Sequence, residues 1–546
     1  MRQLLRLKYF ALVGGFFLLA SFSSDKGKYY EIAKNLEIFT NLYKEVNTYY
    51  VDDLDPSELM RKGVDAMLAS LDPYTNYISE TDIEGYRYYT EGKFHGIGAE
   101  VKDAQNRLLV VSVIKNGPAD KAGLVPGDII TKIDGEPTDG RKADDLLPVF
   151  QGVPGTSFQM TVKKTNNKVQ KLTITREDVD VKNVPFSGML PGDIGYISLT
   201  VFSRNAAANI KKAFHDLKSS NPNMKGLVLD LRGNGGGLLS EAVDIVNIFE
   251  PSDVLVVTTK GKVIEWDRTY MTRGNPTDLE IPLAILTNKN SASASEIVSG
   301  SIQDLDRGVI IGQRTYGKGL VQNTKDLGYN SKVKLTTAKY YIPSKRCIQS
   351  VEYDNNGEPI HIPDSERAVF HTKNGRPVLD GGGIAPDIKL EAKTDLPIIK
   401  ELKKQFVIFD YVTKMVNSGE KMDSLELYHF TQFNDFLNFL KTTNFHYETE
   451  SEKLLNQLKE QEEKDGLKHA FDNEIKTMEL AIQKKKALDL SQSKSIIISE
   501  IEKEFASRMY NVEGQVRMSL RNDDEVKEAI KVLSDTKRYD AILKKQ

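Results

Sequence analysis

The sequence predicts a multidomain α+β protein with a layered α/β core, a small β-rich domain inserted ahead of it, and helical regions at both ends. Three observations predict this. At 546 residues the chain exceeds one ordinary core, so three or four domains are expected. Between 194 and 341, apolar strand-like runs alternate with helical patterns, as strands and helices packed in layers do. Before about residue 92 and after about residue 394, the sequence is helical in pattern or rich in long charged runs.

The N-terminus comes first. Arg2, Arg6 and Lys8 precede an apolar run over 9–22 and then polar Ser23, Ser24 and Asp25, which reads as a targeting segment. The run is short of the roughly 20 residues of a spanning helix. A cleaved signal peptide and an uncleaved anchor both fit residues 1–24, and a buried amphipathic helix is the plainer alternative. The expectation is an exported, periplasmic body, soluble or anchored to the inner membrane. Residues 25–92 follow as a helical region: Ile32, Leu36, Phe39 and Tyr43 recur at helical steps, and Pro56 can open the next helix. Residues 93–177 alternate as strands do, at 108–113 and 158–162. The α/β core is assigned to 178–393. Its strands are read at 194–199, 225–231, 254–259, 283–286, 308–312 and 333–341, and its helices at 205–217 and 238–249. Residues 394–546 form the C-terminal helical region, whose charged runs, including 496–501, read as solvated faces.

Composition narrows the chemistry. A 40% hydrophobic, 28% charged chain is globular, and a formal net charge of −3 leaves no footprint for nucleic acid as partner. One cysteine, Cys347, excludes an intrachain disulfide, a Cys-rich metal site and a well-supported cysteine nucleophile. None of the seven histidines has metal-ligand spacing, so neither metal nor cofactor is expected.

Two stretches carry the chemistry. Asn290-Ser291-Ala292-Ser293-Ala294-Ser295-Glu296 joins an apolar strand to a helical pattern. A serine in such a turn stands clear of the sheet, and the helix N-terminus offers free N–H groups to a developing oxyanion. Ordinary helix caps have the same composition. Thr315-Tyr316-Gly317-Lys318-Gly319 places a lysine between two glycines after another strand. A third stretch, Arg232-Gly233-Asn234-Gly235-Gly236-Gly237, lies between strand and helix but lacks both the dinucleotide glycine pattern and the P-loop lysine.

These stretches resemble the boxes of the C-terminal processing (tail-specific) proteases, serine peptidases with a Ser–Lys dyad and a PDZ domain. The Ser-Ala-Ser-Ala-Ser-Glu box is intact at 291–296, which puts the nucleophile on Ser293. The Tyr-Gly-Lys-Gly box at 316–319 puts the general base on Lys318, at the family's own spacing, and the following glutamine matches Gln322. The resemblance implies an oxyanion hole from the N–H of Ala294 together with that of Gly236 or Gly237. It also makes 93–177 a circularly permuted PDZ domain, on the match at 117–135. There Phe94, His95, Gly96, Ile97 and Gly98 would form the loop that takes a peptide's C-terminal carboxylate. Three positions depart from the family: Gln151 stands where arginine is frequent, Gly235 where proline is usual, and Lys345 where glycine is usual. The box at 380–387 closes the core and is expected to be structural.

The expectation is therefore an exported serine endopeptidase that recognises proteins through apolar C-termini and cleaves them through an acyl-enzyme. Lys318 has to be neutral to accept the serine proton, against an ordinary lysine pKa of about 10.4, and burial lowers it. Tyr316 and Ile297 would supply the apolar wall. Gln322, four residues beyond Lys318, would orient the amine if both lay on one strand face. The competing reading is a non-catalytic or latent PDZ scaffold that only binds peptides. Partners implied are protein or peptide substrates, with room for a homodimer through the helical regions and for an adaptor.

Overall fold

The computed structural model describes residues 23–349, 351–353, 359–392, 396–467 and 469–544. The segment expected to act in targeting therefore lies, through residue 22, outside the described residues. Among those described, no helix is long and apolar enough to cross a membrane. The chain forms two compact units, one ending at Tyr77 and one holding the rest of the described chain.

Among the described residues the first unit has two helices, α1 (Ser23–Tyr49) and α2 (Pro56–Ala69). Asp55 caps α2 by accepting from Ser57 N (2.7 Å) and Glu58 N (3.2 Å), and Pro56 sits where a missing N–H is harmless. The Tyr43 hydroxyl donates to Pro56 O (2.6 Å) and ties the pair together. Helical periodicity was legible here, but burial did not follow from it: Ile32, Leu36 and Phe39 stand half or more exposed.

The second unit opens with α3 (Ile83–Glu91), which the sequence grouped with the N-terminal helices. Next comes β1 (Lys93–Gly96), then the five strands of the expected PDZ domain: β2 (Ala99–Ala104), β3 (Arg107–Val113), β4 (Ile129–Ile133), β5 (Ser157–Lys163) and β6 (Val169–Thr175). They form one antiparallel sheet in the order β2-β3-β4-β5-β6. Alternation explains it: on β5, Phe158, Met160 and Val162 are buried while Ser157 and Gln159 face water. A short helix, α4 (Leu147–Phe150), faces β2, and β7 (Glu177–Asp180) pairs back onto β1.

The core sheet runs β8 (Phe186–Leu190), β9 (Ile194–Ser198), β10 (Gly226–Asp230), β11 (Leu283–Thr287), β12 (Val309–Gly312) and β13 (Ile388–Lys389). Only the β8–β9 pair is antiparallel. β10, β11 and β12 are buried along their whole length, as parallel strands covered on both faces must be. On one face lie α5 (Ala206–Ser220), α6 (Leu239–Phe249) and α7 (Ala294–Asp304), which bury Ile210, Phe214, Ile245, Ile297 and Ile302 against Leu229, Ile285 and Ile310. The other face is covered by α8 (Asp524–Ser534) and α9 (Thr536–Leu543), at the far end of the chain. There Val526, Ala529, Val532, Leu533 and Tyr539 meet Val228, Ala284, Leu286, Val309 and Ile311.

The tail is thus integral to the core as well as to its own bundle. Ile497 and Ile501, inside a run read as solvated, are fully buried with Val412, Phe436 and Phe505. Phe409 also packs on Leu109 and Ala104 of the PDZ sheet, and Arg508 stacks on the Phe409 ring at 4.0 Å.

Candidate active site

The parallel strands end level: Ser198 pairs with Asp230, Asp230 with Leu286, and Thr287 with Gly312. The loops that leave those ends therefore converge at the carboxyl edge of the sheet, where open α/β sheets place their sites. Three of them are the stretches singled out above: 231–238, 288–293 and 313–319.

The serine turn sorts its own hydroxyls. Ser291 Oγ donates to Leu231 O (2.8 Å) and Ser295 Oγ to Asn234 O (2.8 Å), and both residues are fully buried. Ser293, between them, is only half-buried and sits at the N-terminus of α7 with φ 56°, ψ −113°. A non-glycine residue at that φ is strained, and such strain persists only where surrounding contacts over-determine it.

Those contacts come from Glu296, one turn into α7 and completely buried. One carboxylate oxygen accepts from Ser293 N (2.8 Å) and Lys318 N (2.8 Å); the other accepts from Gly317 N (2.6 Å) and Thr315 Oγ1 (2.5 Å). Burial pushes its carboxyl pKa up to about 7, and the four hydrogen bonds pull the other way. The Tyr340 hydroxyl, also buried, bridges the carbonyls of Ser293 (3.2 Å) and Lys318. Tyr316 N donates to Ser291 O (3.0 Å). The serine turn and the lysine loop are therefore stitched backbone to backbone by one carboxylate, one phenol and one main-chain bond.

The glycines around Lys318 are required by geometry. Gly317 has φ 88°, and a Cβ on Gly319 would lie 2.6 Å from Gln349 N. Lys318 itself is half-buried. Ile297 is buried beneath the site, whereas Tyr316 is half exposed and does not wall it off as expected. The alternation argument for Gln322 also does not hold. The strand starts only at Leu320, after Lys318, and its pairing shifts register between Val321 and Gln322, a bulge that re-aims the side chain. Gln322 Nε2 donates to Leu320 O (3.2 Å) and Thr336 Oγ1 (3.3 Å).

The glycine loop touches the serine directly. A Cβ on Gly236 would lie 2.8 Å from Ser293 Cβ and 3.0 Å from Ala294 N; one on Gly237 would lie 2.5 Å from Phe202 O. Gly236 N donates to Asn234 Oδ1 (2.9 Å), so Gly237 is the candidate of the two whose N–H is not committed to that bond. Asn234 is fully buried and also donates to Leu199 O (2.9 Å).

In the PDZ domain, a groove of about 360 Å³ lies between β2, α4 and α3. Phe94, Ile97 and Gly98 line it with Val101, Leu147 and Phe150. His95 and Gly96 are placed otherwise. The His95 ring lies between Glu84 (3.2 Å) and Asp178 (3.3 Å), and Gly96 bridges to Gln151.

Comparison with known proteins agrees with this layout. Residues 193–356 match peptidase family S41, residues 109–164 match the PDZ domain, and residues 398–533 match "Probable PDZ-protease, C-terminal helical domain". The carboxy-terminal-processing protease of Bartonella bacilliformis is 36% identical over 356 residues, covering 63% of this chain and 80% of that protein. A Staphylococcus aureus protein described as "Probable CtpA-like serine protease" is 33% identical over 316 residues, 58% of this chain and 62% of its own length. Among solved structures, the photosystem II D1 C-terminal processing protease aligns at 26% identity and a TM-score of 0.34, over 65% of this chain and 92% of that one. The fold, with the matched families and the relatives named as proteases, defines a serine peptidase of the PDZ-containing class. The chain belongs to peptidase family S41, among the carboxy-terminal-processing proteases.

Sequence reasoning names Glu296, Asn234 and Thr315 within their stretches, and covers Tyr340 in the strand run at 333–341, without giving any of them a task. For Glu296 the signal was present: Ser-x-x-Glu at a helix start is the capping-box spacing. Nothing local marks the other three.

Proposed function

We propose that this protein is an exported serine endopeptidase in which Ser293 is the nucleophile and Lys318 the general base. The observation that carries the reading is the double tie of Ser293 and Lys318 through Glu296 and Tyr340, which holds the two segments in one register. Ser293 Oγ attacks the scissile carbonyl as Lys318, neutral at that moment, takes its proton; the C–N bond then breaks, the amine leaves with that proton, and water, deprotonated by Lys318, cleaves the acyl ester to free the new C-terminus and Ser293. The oxyanion is held by the N–H groups of Ala294 and Gly237, at the start of α7 and on the glycine loop. Gln322 remains the candidate to orient the amine, through the amide oxygen that its two donor bonds leave open.

Substrates are proteins with apolar C-termini. β2 is an edge strand, so an extended peptide can add to it, with its last side chain among Ile97, Val101, Leu147 and Phe150. Export rests on the basic and apolar start of the chain, with residues 1–24 either removed or retained as an inner-membrane anchor. The exposed stripe of α1 supports self-association through the N-terminal helices.

The test is cleavage of an unfolded protein with an apolar C-terminus by the parent, Ser293→Ala and Lys318→Ala. Turnover in the parent that is lost in both variants is expected. Equal turnover in all three would remove the dyad from the mechanism. Peptide binding without turnover in the parent would favour the scaffold.

A further inference from the structure

The C-terminal tail reaches the catalytic loops. Arg232 is the first charged residue of the glycine loop, two positions beyond the end of β10. Its guanidinium is held on two sides. Nε lies 2.9 Å from Asp230 Oδ1, and the far nitrogens reach Asp230 Oδ2 (2.5 Å), Asp523 Oδ2 (2.8 Å) and Glu525 Oε2 (2.5 Å). Arg232, Asp523 and Glu525 each expose less than a fifth of their side chains. The second oxygen of Glu525 faces Gln313 Nε2 at 3.4 Å, and Gln313 is the residue from which the Lys318 loop departs. Asp523 also caps α8 by accepting from Val526 N (3.0 Å). The first turn of α8, some 290 residues away in sequence, thus grips the root of the glycine loop and abuts the root of the lysine loop.

We propose that Asp523 and Glu525 are positioning residues of the peptidase site, which hold Arg232 and through it the loop bearing Gly236 and Gly237. The inference rests on the dyad reading for its catalytic consequence. Three carboxylates surround one guanidinium, more negative charge than a stability device requires, since burying charge is costly unless each ion is paired and hydrogen-bonded. What the arrangement fixes is orientation: a planar guanidinium gripped on two edges cannot rotate, and the main chain that follows it is the oxyanion loop. Asp230 is itself held by the Tyr196 hydroxyl (2.7 Å), so the whole bracket stands on the core sheet. Loss of the tail-side grip leaves the Asp230 pair intact and frees the loop.

The experiment uses the full chain with the double variant Asp523→Asn/Glu525→Gln, which removes both charges and retains a capping residue at 523. Lys531→Gln, on the exposed side of α8, is the control. Hydrogen–deuterium exchange is read at 231–238 and across α8, and turnover on a substrate with an apolar C-terminus is separated into kcat and KM. The expected result is at least tenfold faster exchange at 231–238 with α8 still protected, a kcat lowered at least tenfold, and KM within twofold of the parent. Unchanged exchange at 231–238 would overturn the proposal whatever the activity. So would a uniform rise across α8 and the sheet, because the pair would then serve folding alone. A parent without Ser293-dependent turnover would refute the dyad reading, while the exchange measurement still decides the brace.

Discussion

Glu296→Gln is the most informative single substitution. Glutamine has the same shape, but it replaces one accepting oxygen with an NH2 group. Turned one way, the NH2 faces two backbone donors, Ser293 N and Lys318 N; turned the other way it faces one, Gly317 N, because the Thr315 hydroxyl can rotate to accept. Each buried polar group left unsatisfied costs about 1–3 kcal/mol, so one or two of them cost about 1–6 kcal/mol before relief is counted. The relief is the desolvation that raises the carboxyl to about 7. In the unfolded chain the group titrates near 4.5, so between pH 4.5 and 7 the folded state holds a proton that the unfolded state has released. Stability from this residue is therefore fully present below about pH 4.5 and lost as pH rises to 7, a change of about 3 kcal/mol at 1.36 kcal/mol per pH unit. The variant cannot show it.

The assay is denaturant unfolding followed by the single tryptophan, Trp266, in the same unit, at half-unit steps from pH 4.5 to 8.5. The parent-minus-variant difference should shrink by about 3 kcal/mol across that range. Turnover by the variant at pH 8 should fall at least tenfold, because the tie between Ser293 and Lys318 is broken. Parallel stability curves, or full turnover, would refute the reasoning.

Three further outcomes follow from the geometry. Gly236→Ala should cut turnover at least 100-fold while peptide binding to the PDZ groove is kept, because the new Cβ meets Ser293 Cβ at 2.8 Å; active-site titration beside peptide binding checks it. Leu147→Asp should weaken an apolar C-terminal peptide at least tenfold in fluorescence anisotropy, and an amidated peptide should bind the parent as poorly. Lys345 has φ 72° where the family's pattern has glycine, so Lys345→Gly should stabilise by up to about 1 kcal/mol, read as a raised Tm; a lowered Tm would count against strain at that turn.

The local sequence determined a good deal. Strand period found four strands of the core sheet, at 194–199, 225–231, 283–286 and 308–312, and Pro56 marked the start of α2, because backbone preferences act over a few residues; the runs at 254–259 and 333–341 are strands too, but they pair with each other in a separate antiparallel sheet, a partnership that period alone does not specify. The small flanks of Lys318 at 317 and 319 are legible in the sequence, although only the structure shows that Gly317 takes φ 88° and that Gly319 abuts Gln349.

What local pattern could not fix was whatever depends on the partner across space. Periodicity made α1 a helix without covering its stripe, and it left Ile497 in a charged run that proved to be core. The task of Gln322 rested on a strand that begins two residues too late. Gly236 and Gly237 look alike in sequence, and only the Asn234 side chain, folded under the loop, separates them. The joining of Ser293 to Lys318 by Glu296, and the reach of Asp523 and Glu525 to Arg232, are long-range hydrogen bonds. Such bonds exist only once the parallel sheet has brought the ends of its strands level, and no residue's neighbours in sequence encode them.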